Sequence, residues 1–313
     1  MPNGKNTLLF YSELDNAATW QRAMQAELPG ADFHIFPEMP DPAAVTVALV
    51  WAPPPGFFAP MSNLRLIVNL GAGVDSFAGR NDLPDVPIVR LSDPAMVALM
   101  TSYVLFAVIR YARNIDVLEA AQRETAWRYV EPRPLSAVKV GVLGLGELGA
   151  AAARALAGLS LDVTGWSRSP KQLPGIACVH GLDALDELIA EVEILVIMLP
   201  LTPATKGLID KARLRRMKPG AKLINVARGS IIDEEALIAA LREQHLGGAT
   251  LDVFAREPLP VESPLWRMPN VLMTPHLASI PVPESAASVV AESIRRIARG
   301  EPPLHRIDPA RGY

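Results

Sequence analysis

The sequence predicts an α/β protein made of two doubly wound parallel sheets, with one domain inserted into the other. Three observations lead there. Between residues 137 and 282, short runs of Val, Ile and Leu alternate with helical stretches. The first ninety residues repeat the alternation with strands of their own. Two long helical patterns, one starting near residue 93 and one covering about 284–299, stand where the chain would pass between domains. Such alternation builds a parallel sheet flanked by helices, because each crossover returns the chain to start the next strand in the same direction.

In the first region the candidate strands are 7–11 (TLLFY), 32–36, 45–51 (VTVALVW), 64–70 (LRLIVNL) and 86–91, with a helix at about 16–28. No phosphate-binding glycine pattern precedes a helix there. Ser92, Asp93 and Pro94 then make a good helix start, a cap candidate followed by proline in the first turn. Met96, Val97, Met100, Tyr103, Val104, Ala107, Val108 and Tyr111 follow a helical period, which marks a long, largely buried helix. The second region offers strands at 138–143 (VKVGVL), 161–167, 194–200 (ILVIMLP), 221–227 (AKLINVA), 248–254 (GATLDVF) and 271–274 (VLMT). They are apolar runs, as strands buried on both faces are. The helical stretches between them are ELGAAAARALAG, LDALDELIAE and DEEALIAALRE, the last with Asp233 as a cap candidate. Pro281 and Pro283 precede the final helix, which returns the chain to the first domain. The expected domains are therefore 1–98 with 284–313, and 99–283.

The totals agree with a folded protein that handles a small ligand. Half of the 313 residues are hydrophobic and 20% are charged, enough for a substantial core. A net charge of −3 gives no sign of a nucleic-acid or membrane surface. The single cysteine, Cys178, allows no internal disulfide, which suits a reducing cytoplasm. The opening MPNGKNTLLFYSELD is not a secretory signal, and runs such as ILVIMLP are too short to span a bilayer.

GVLGLGELG places Gly144, Gly146 and Gly149 between a strand and a helix. Alone such spacing is weak, but in that context the glycines allow a tight turn, close approach of a pyrophosphate and helix-to-strand packing. Backbone N–H groups at the helix start would hold the phosphates. About twenty residues on, where an NAD site usually carries an acid for the ribose, the chain reads GWSRSPK, with Ser167, Arg168 and Lys171. An acid there would repel a 2′-phosphate, whereas Arg and Lys attract one, so the loop favours NADP(H), with NAD(H) as the second choice.

Three further polar residues lie at or just beyond strand ends. Arg228 follows INVA, Glu257 sits in the loop AREPLP, and His276 lies in TPHLAS. Singly they read as a surface ion-pair partner, a solvated loop acid and a satisfied core histidine. Together, on the edge that carries the glycine turn, they form a chemical set. The Arg fork suits a carboxylate, a His beside Glu can serve as an acid, and a nicotinamide supplies hydride. That set reduces a 2-keto acid to a 2-hydroxy acid, and it calls for no metal.

The motifs GAGVD (71–75), GLGELG (144–149), LPLTPATKGLI (199–209), NVARGSIIDEEAL (225–237), LDVFAREPLP (251–260) and TPHLAS (274–279) resemble the D-isomer-specific 2-hydroxyacid dehydrogenase family, over essentially the whole length. Within it the style is that of the bacterial glyoxylate/hydroxypyruvate reductase A branch, carried by VWAPP, LGAGVDS, WSRSPK, REPLPVESPLW and the terminal ARGY. The resemblance implies a Rossmann cofactor domain inserted into a flavodoxin-like substrate domain. It implies Arg228 on the substrate carboxylate, His276 as the acid with Glu257 holding it, and Trp51, Ala72 and Gly73 in the substrate site. It places Met100, Glu147, Leu148, Leu199, Pro200, Thr205 and Ala227 along the cofactor, and Asp252 at the nicotinamide amide. It also implies a homodimer built on the cofactor domains, with residues 114–135 as an arm and Trp127 as an anchor. One departure is Ser102 in MTSYV, where many members carry an acid. The expected activity is reduction of glyoxylate or hydroxypyruvate in the cytoplasm. The rivals are an enzyme for another D-2-hydroxy acid and a non-catalytic dinucleotide sensor on the same fold.

Overall fold

The computed structural model describes residues 6–39 and 41–308, so the terminal ARGY falls outside the described residues. The chain divides into two compact units, Met1–Met96 with Ile280–Tyr313, and Val97–Ser279.

The first unit contains β1 (Thr7–Tyr11), α1 (Ala17–Glu27), β2 (Asp32–Ile35), β3 (Val47–Val50), β4 (Leu66–Asn69) and β5 (Ile88–Arg90). Its sheet runs β2-β1-β3-β4-β5 with every pair parallel, the flavodoxin-like order. Asn16 caps α1 by accepting from Thr19 N, and Trp20, Ala23 and Met24 bury its inner face. The long helix α2 (Pro94–Ala112) starts where Asp93 Oδ1 accepts from Ala95 N at 2.9 Å and Met96 N at 3.3 Å. By length and composition α2 resembles a membrane span. Instead, Met100, Val104, Ala107, Val108 and Tyr111 are buried in the second unit's core, and Arg110 pairs with Glu119.

The second unit continues with α3 (Ile115–Arg123), β6 (Lys139–Leu143), α4 (Glu147–Gly158), β7 (Asp162–Ser167), β8 (Ala177–His180), α5 (Leu182–Glu191) and β9 (Ile194–Ile197). Then come α6 (Lys211–Arg216), β10 (Ala221–Asn225), α7 (Glu234–Arg242), β11 (Leu246–Leu251) and β12 (Val271–Met273). The seven strands order as β12-β11-β10-β9-β6-β7-β8, all parallel. This is the dinucleotide-binding order, in which the strand sequence reverses between β6 and β9. Asp233 caps α7 through Ala236 N at 3.0 Å. Finally α8 (Pro283–Ala298) packs on α1 in the first unit.

Several observed strands stop short of the apolar runs that announce them. The runs 194–200, 221–227 and 248–254 continue past β9, β10 and β11 because Leu199, Val226, Ala227 and Val253 remain buried in the loops beyond the strand ends. β8 and α6 escaped the pattern because β8 is an edge strand with no fully buried residue and α6 has six residues, mostly basic. The segment 114–135 is no uniform arm. Its first part is α3, tied to its own unit by Arg110–Glu119 and by Lys222–Asp116 at 2.6 Å.

Candidate active site

The glycine turn joins β6 to α4. Gly144 has φ 104°, and a Cβ there would lie 2.5 Å from the Met198 carbonyl oxygen. A Cβ on Gly149 would lie 1.8 Å from the Gly144 oxygen. Gly146 instead faces open space and caps α4 with no side-chain hydrogen bond. Gly144 thus lets the turn lie against the loop after β9, Gly149 lets α4 press on the turn, and Gly146 leaves open space at the start of α4, where helix N–H groups attract an anion. The cradle fits a dinucleotide pyrophosphate.

Beside it, β7 ends at Ser167, whose hydroxyl donates to the Ser169 carbonyl at 2.8 Å. Arg168 is exposed, and Lys171 Nζ donates to the Leu145 carbonyl at 2.9 Å. The basic loop is therefore stitched to the glycine turn itself. After β9, Leu199 is buried and Pro200 exposed, and Thr205 Oγ1 closes that loop by donating to the Pro200 carbonyl at 2.6 Å. Met100 is buried in a core cluster with Leu145, Val226 and Ala278.

The ends of β10, β11 and β12 carry the remaining polar residues. Arg228 follows Ala227 in a turn organised by buried Asn225, which accepts from Ala227 N and donates to the Arg228 carbonyl. Glu257 Oε2 meets His276 Nδ1 at 2.7 Å, and its Oε1 accepts from Phe254 N at 2.8 Å. Burial opposes ionisation of Glu257. The hydrogen bonds from His276 and Phe254, with the charges of His276 and Arg228, outweigh it and hold the carboxyl below its usual range. Asp252, just past β11, is buried and accepts from Thr274 Oγ1, Leu277 N and Ala278 N. These groups share the carboxyl-end edge, where parallel α/β sheets hold ligands. Among the described residues no cluster of three His, Cys, Asp or Glu side chains is placed to hold a metal.

In the first unit, Trp51 follows β3, and Ala72 and Gly73 lie in the turn after β4. Gly71 lets the indole lie close, since a Cβ there would sit 2.4 Å from the Trp51 ring. Asn69 donates to the Gly71 and Gly73 carbonyls at 2.9 and 2.8 Å. Asn69 and Asn225 both close apolar strands, so each shapes a candidate ligand loop from within. Sequence reasoning passed over both, although a polar residue ending LIVN and AKLIN was the available signal. Ser102 turns its hydroxyl to its own helix, onto the Leu99 carbonyl at 2.8 Å.

Strand order and glycine turn together make the second unit a dinucleotide-binding domain of an oxidoreductase type. Residues 105–278 match the family described as D-isomer specific 2-hydroxyacid dehydrogenase, NAD binding domain, and the chain belongs to that family. The glyoxylate/hydroxypyruvate reductase A of Serratia proteamaculans (strain 568) is 36% identical over 98% of this chain and 99% of its own. A D-isomer specific 2-hydroxyacid dehydrogenase from Xanthobacter autotrophicus Py2, solved with NADPH and MES, superposes with a TM-score of 0.96. It is 56% identical, covering 99% of this chain and 100% of that one. An NADPH-dependent glyoxylate/hydroxypyruvate reductase from Sinorhizobium meliloti, solved with NADP and sulfate, gives 0.93 at 32% identity, covering 99% and 100%.

Proposed function

We propose that the chain is an NADPH-dependent reductase of small 2-keto acids, taking glyoxylate to glycolate and hydroxypyruvate to D-glycerate. The observation that carries this is the 2.7 Å His276–Glu257 pair on the sheet edge that also bears Arg228 and the glycine turn. The Serratia and Sinorhizobium relatives, reductases by name, support the substrate class.

Arg228 offers its fork to the substrate carboxylate and polarises the adjacent carbonyl. In the first unit, Trp51, Ala72 and Gly73 are the substrate-binding residues that the family resemblance implies. Glu257 engages His276 at Nδ1, which leaves Nε2 to protonate the carbonyl oxygen as the substrate is reduced. Reduced nicotinamide, when bound, supplies the hydride to the carbonyl carbon. Gly144, Gly146, Glu147, Leu148 and Gly149 hold the pyrophosphate, and Ser167, Arg168 and Lys171 receive the 2′-phosphate. Leu199, Pro200, Thr205, Ala227, Met100 and Asp252 line the rest of the cofactor site. The NADPH and NADP held by the Xanthobacter and Sinorhizobium structures support this preference.

The protein acts as a homodimer through the second unit. Trp127 is 102% exposed, Tyr129 81% and Phe106 53%, a set of large apolar side chains that a lone protomer gains nothing by showing to water. It works in the cytoplasm, where its one cysteine stays reduced.

Purified protein should oxidise NADPH with glyoxylate or hydroxypyruvate. His276→Ala should lower kcat by at least about 10²-fold. Absence of turnover with both substrates overturns the substrate assignment, and a near-normal rate in the variant removes His276 from the mechanism.

A further inference from the structure

His276 adopts φ 55°, a left-handed conformation that a residue with a side chain keeps only when its surroundings impose it. Asp252 imposes it here. The Asp252 carbonyl accepts from His276 N at 2.8 Å. Its Oδ1 accepts from Thr274 Oγ1 at 2.6 Å and Leu277 N at 2.9 Å, and its Oδ2 from Ala278 N at 2.9 Å. Four of the five residues 274–278 thus bond to one buried residue at the end of β11.

The orientation of the hydroxyl protons follows from counting donors. Thr274 has one proton, and it goes to the carboxylate. The 2.5 Å contact between the Tyr103 hydroxyl and Thr274 Oγ1 therefore has Tyr103 as its donor. Burial, first, and the Asp252 charge push the Tyr103 hydroxyl up, so its proton stays in place. The result is a directed chain from α2 through the β12 loop to β11.

We propose that Tyr103 and Thr274 are positioning residues, which fix the Asp252 carboxylate and through it the backbone that carries His276. This rests on His276 being the proton donor. Removing either hydroxyl leaves a buried oxygen short of a donor, in a network whose members hold one another. The loop then loses the register that aims the imidazole at the Glu257 carboxylate. Displacements of this kind, well under the size of a residue, are enough to slow an oriented proton transfer.

The test is a set of variants in the full-length protein, read as kcat, KM for keto acid and Kd for NADPH. Thr274→Val, which keeps the shape and drops the hydroxyl, should lower kcat about tenfold with Kd for NADPH changed less than about threefold. Thr274→Ser should recover most of that rate, because the hydroxyl returns. Tyr103→Phe, at the far end of the chain, should lower kcat several-fold in the same pattern, and it decides the matter should Thr274→Val fail to fold. The proposal is overturned if Thr274→Val and Tyr103→Phe keep kcat within about twofold, or if Thr274→Ser is as slow as Thr274→Val. His276→Ala runs in parallel. A large loss there with normal positioning variants sinks only the positioning chain, whereas a normal rate there sinks the proton-donor reading beneath it.

Discussion

Replacing Gly229 with alanine should separate the two loops that carry the proposed catalytic residues. Gly229 directly follows Arg228, and an added Cβ would lie 1.9 Å from the Phe254 carbonyl carbon, 2.2 Å from its oxygen and 2.3 Å from Ala255 N. All three are backbone atoms, so no side chain can swing aside. Real contacts of that kind do not fall below 3.0 Å, which forces the 254–257 loop to retreat by at least about 1 Å. That loop holds Glu257 through the Phe254 N–H, and Glu257 in turn holds His276. A shift of about 1 Å between catalytic groups costs up to about 10²-fold, equivalent to about 2.7 kcal/mol of transition-state stabilisation. Steady-state NADPH oxidation with glyoxylate should show kcat/KM reduced by about that factor, while NADPH affinity stays near normal because the glycine turn is untouched. Circular dichroism would establish that the variant is folded. A folded Gly229→Ala enzyme with kcat/KM within about threefold of the parent would mean that the Arg228 and Glu257 loops are not coupled through Gly229.

Three other outcomes follow from the same structure. Arg168→Ala should lower the NADPH-over-NADH preference in kcat/KM by about tenfold or more, since a charge-assisted contact to the 2′-phosphate is lost; an unchanged ratio makes the loop an ordinary surface turn. Glu257 has a carboxyl depressed below its unfolded value of 4.5, so its stabilising bonds are fully present above that pH and fade as the pH falls through the lower folded value. The Tm gap between the parent and Glu257→Gln should therefore shrink as the pH falls below 4.5, and a gap that widens there contradicts the pairing. If the proposed homodimer is anchored by Trp127, Trp127→Ala should weaken dimerisation by about 30-fold, the scale of an interface hot spot, seen in light scattering as a fall in mass from dimer to monomer; a dimer unmoved by the change places the interface elsewhere.

Much of this was legible in the residues because the physics there is local. Buried parallel strands read as apolar runs, the glycines of GLGELG declared a tight turn, and Asp93 and Asp233 announced the helices they cap. Arg228, Glu257 and His276 were visible as polar residues interrupting apolar strand ends. What escaped depended on distance in space. Tyr103 and Thr274 lie 171 residues apart, and nothing in either neighbourhood marks the bond between them. Tyr103 looked like one more member of a helix's buried stripe. The sequence marks Asp252 for the cofactor; that its carboxylate also accepts from the loop that follows β12 is a use that only the folded register of β11 beside β12 creates. The basic loop was legible by charge, but the reach of Lys171 back to Leu145 was not.

A reductase of small 2-keto acids that prefers NADPH must show that preference in a comparison of the two cofactors. The purified protein is assayed with glyoxylate at saturation while NADPH and NADH are varied in turn. NADPH should turn over readily, with a kcat/KM at least about tenfold above that for NADH. A preference for NADH, or equal use of the two, would contradict it.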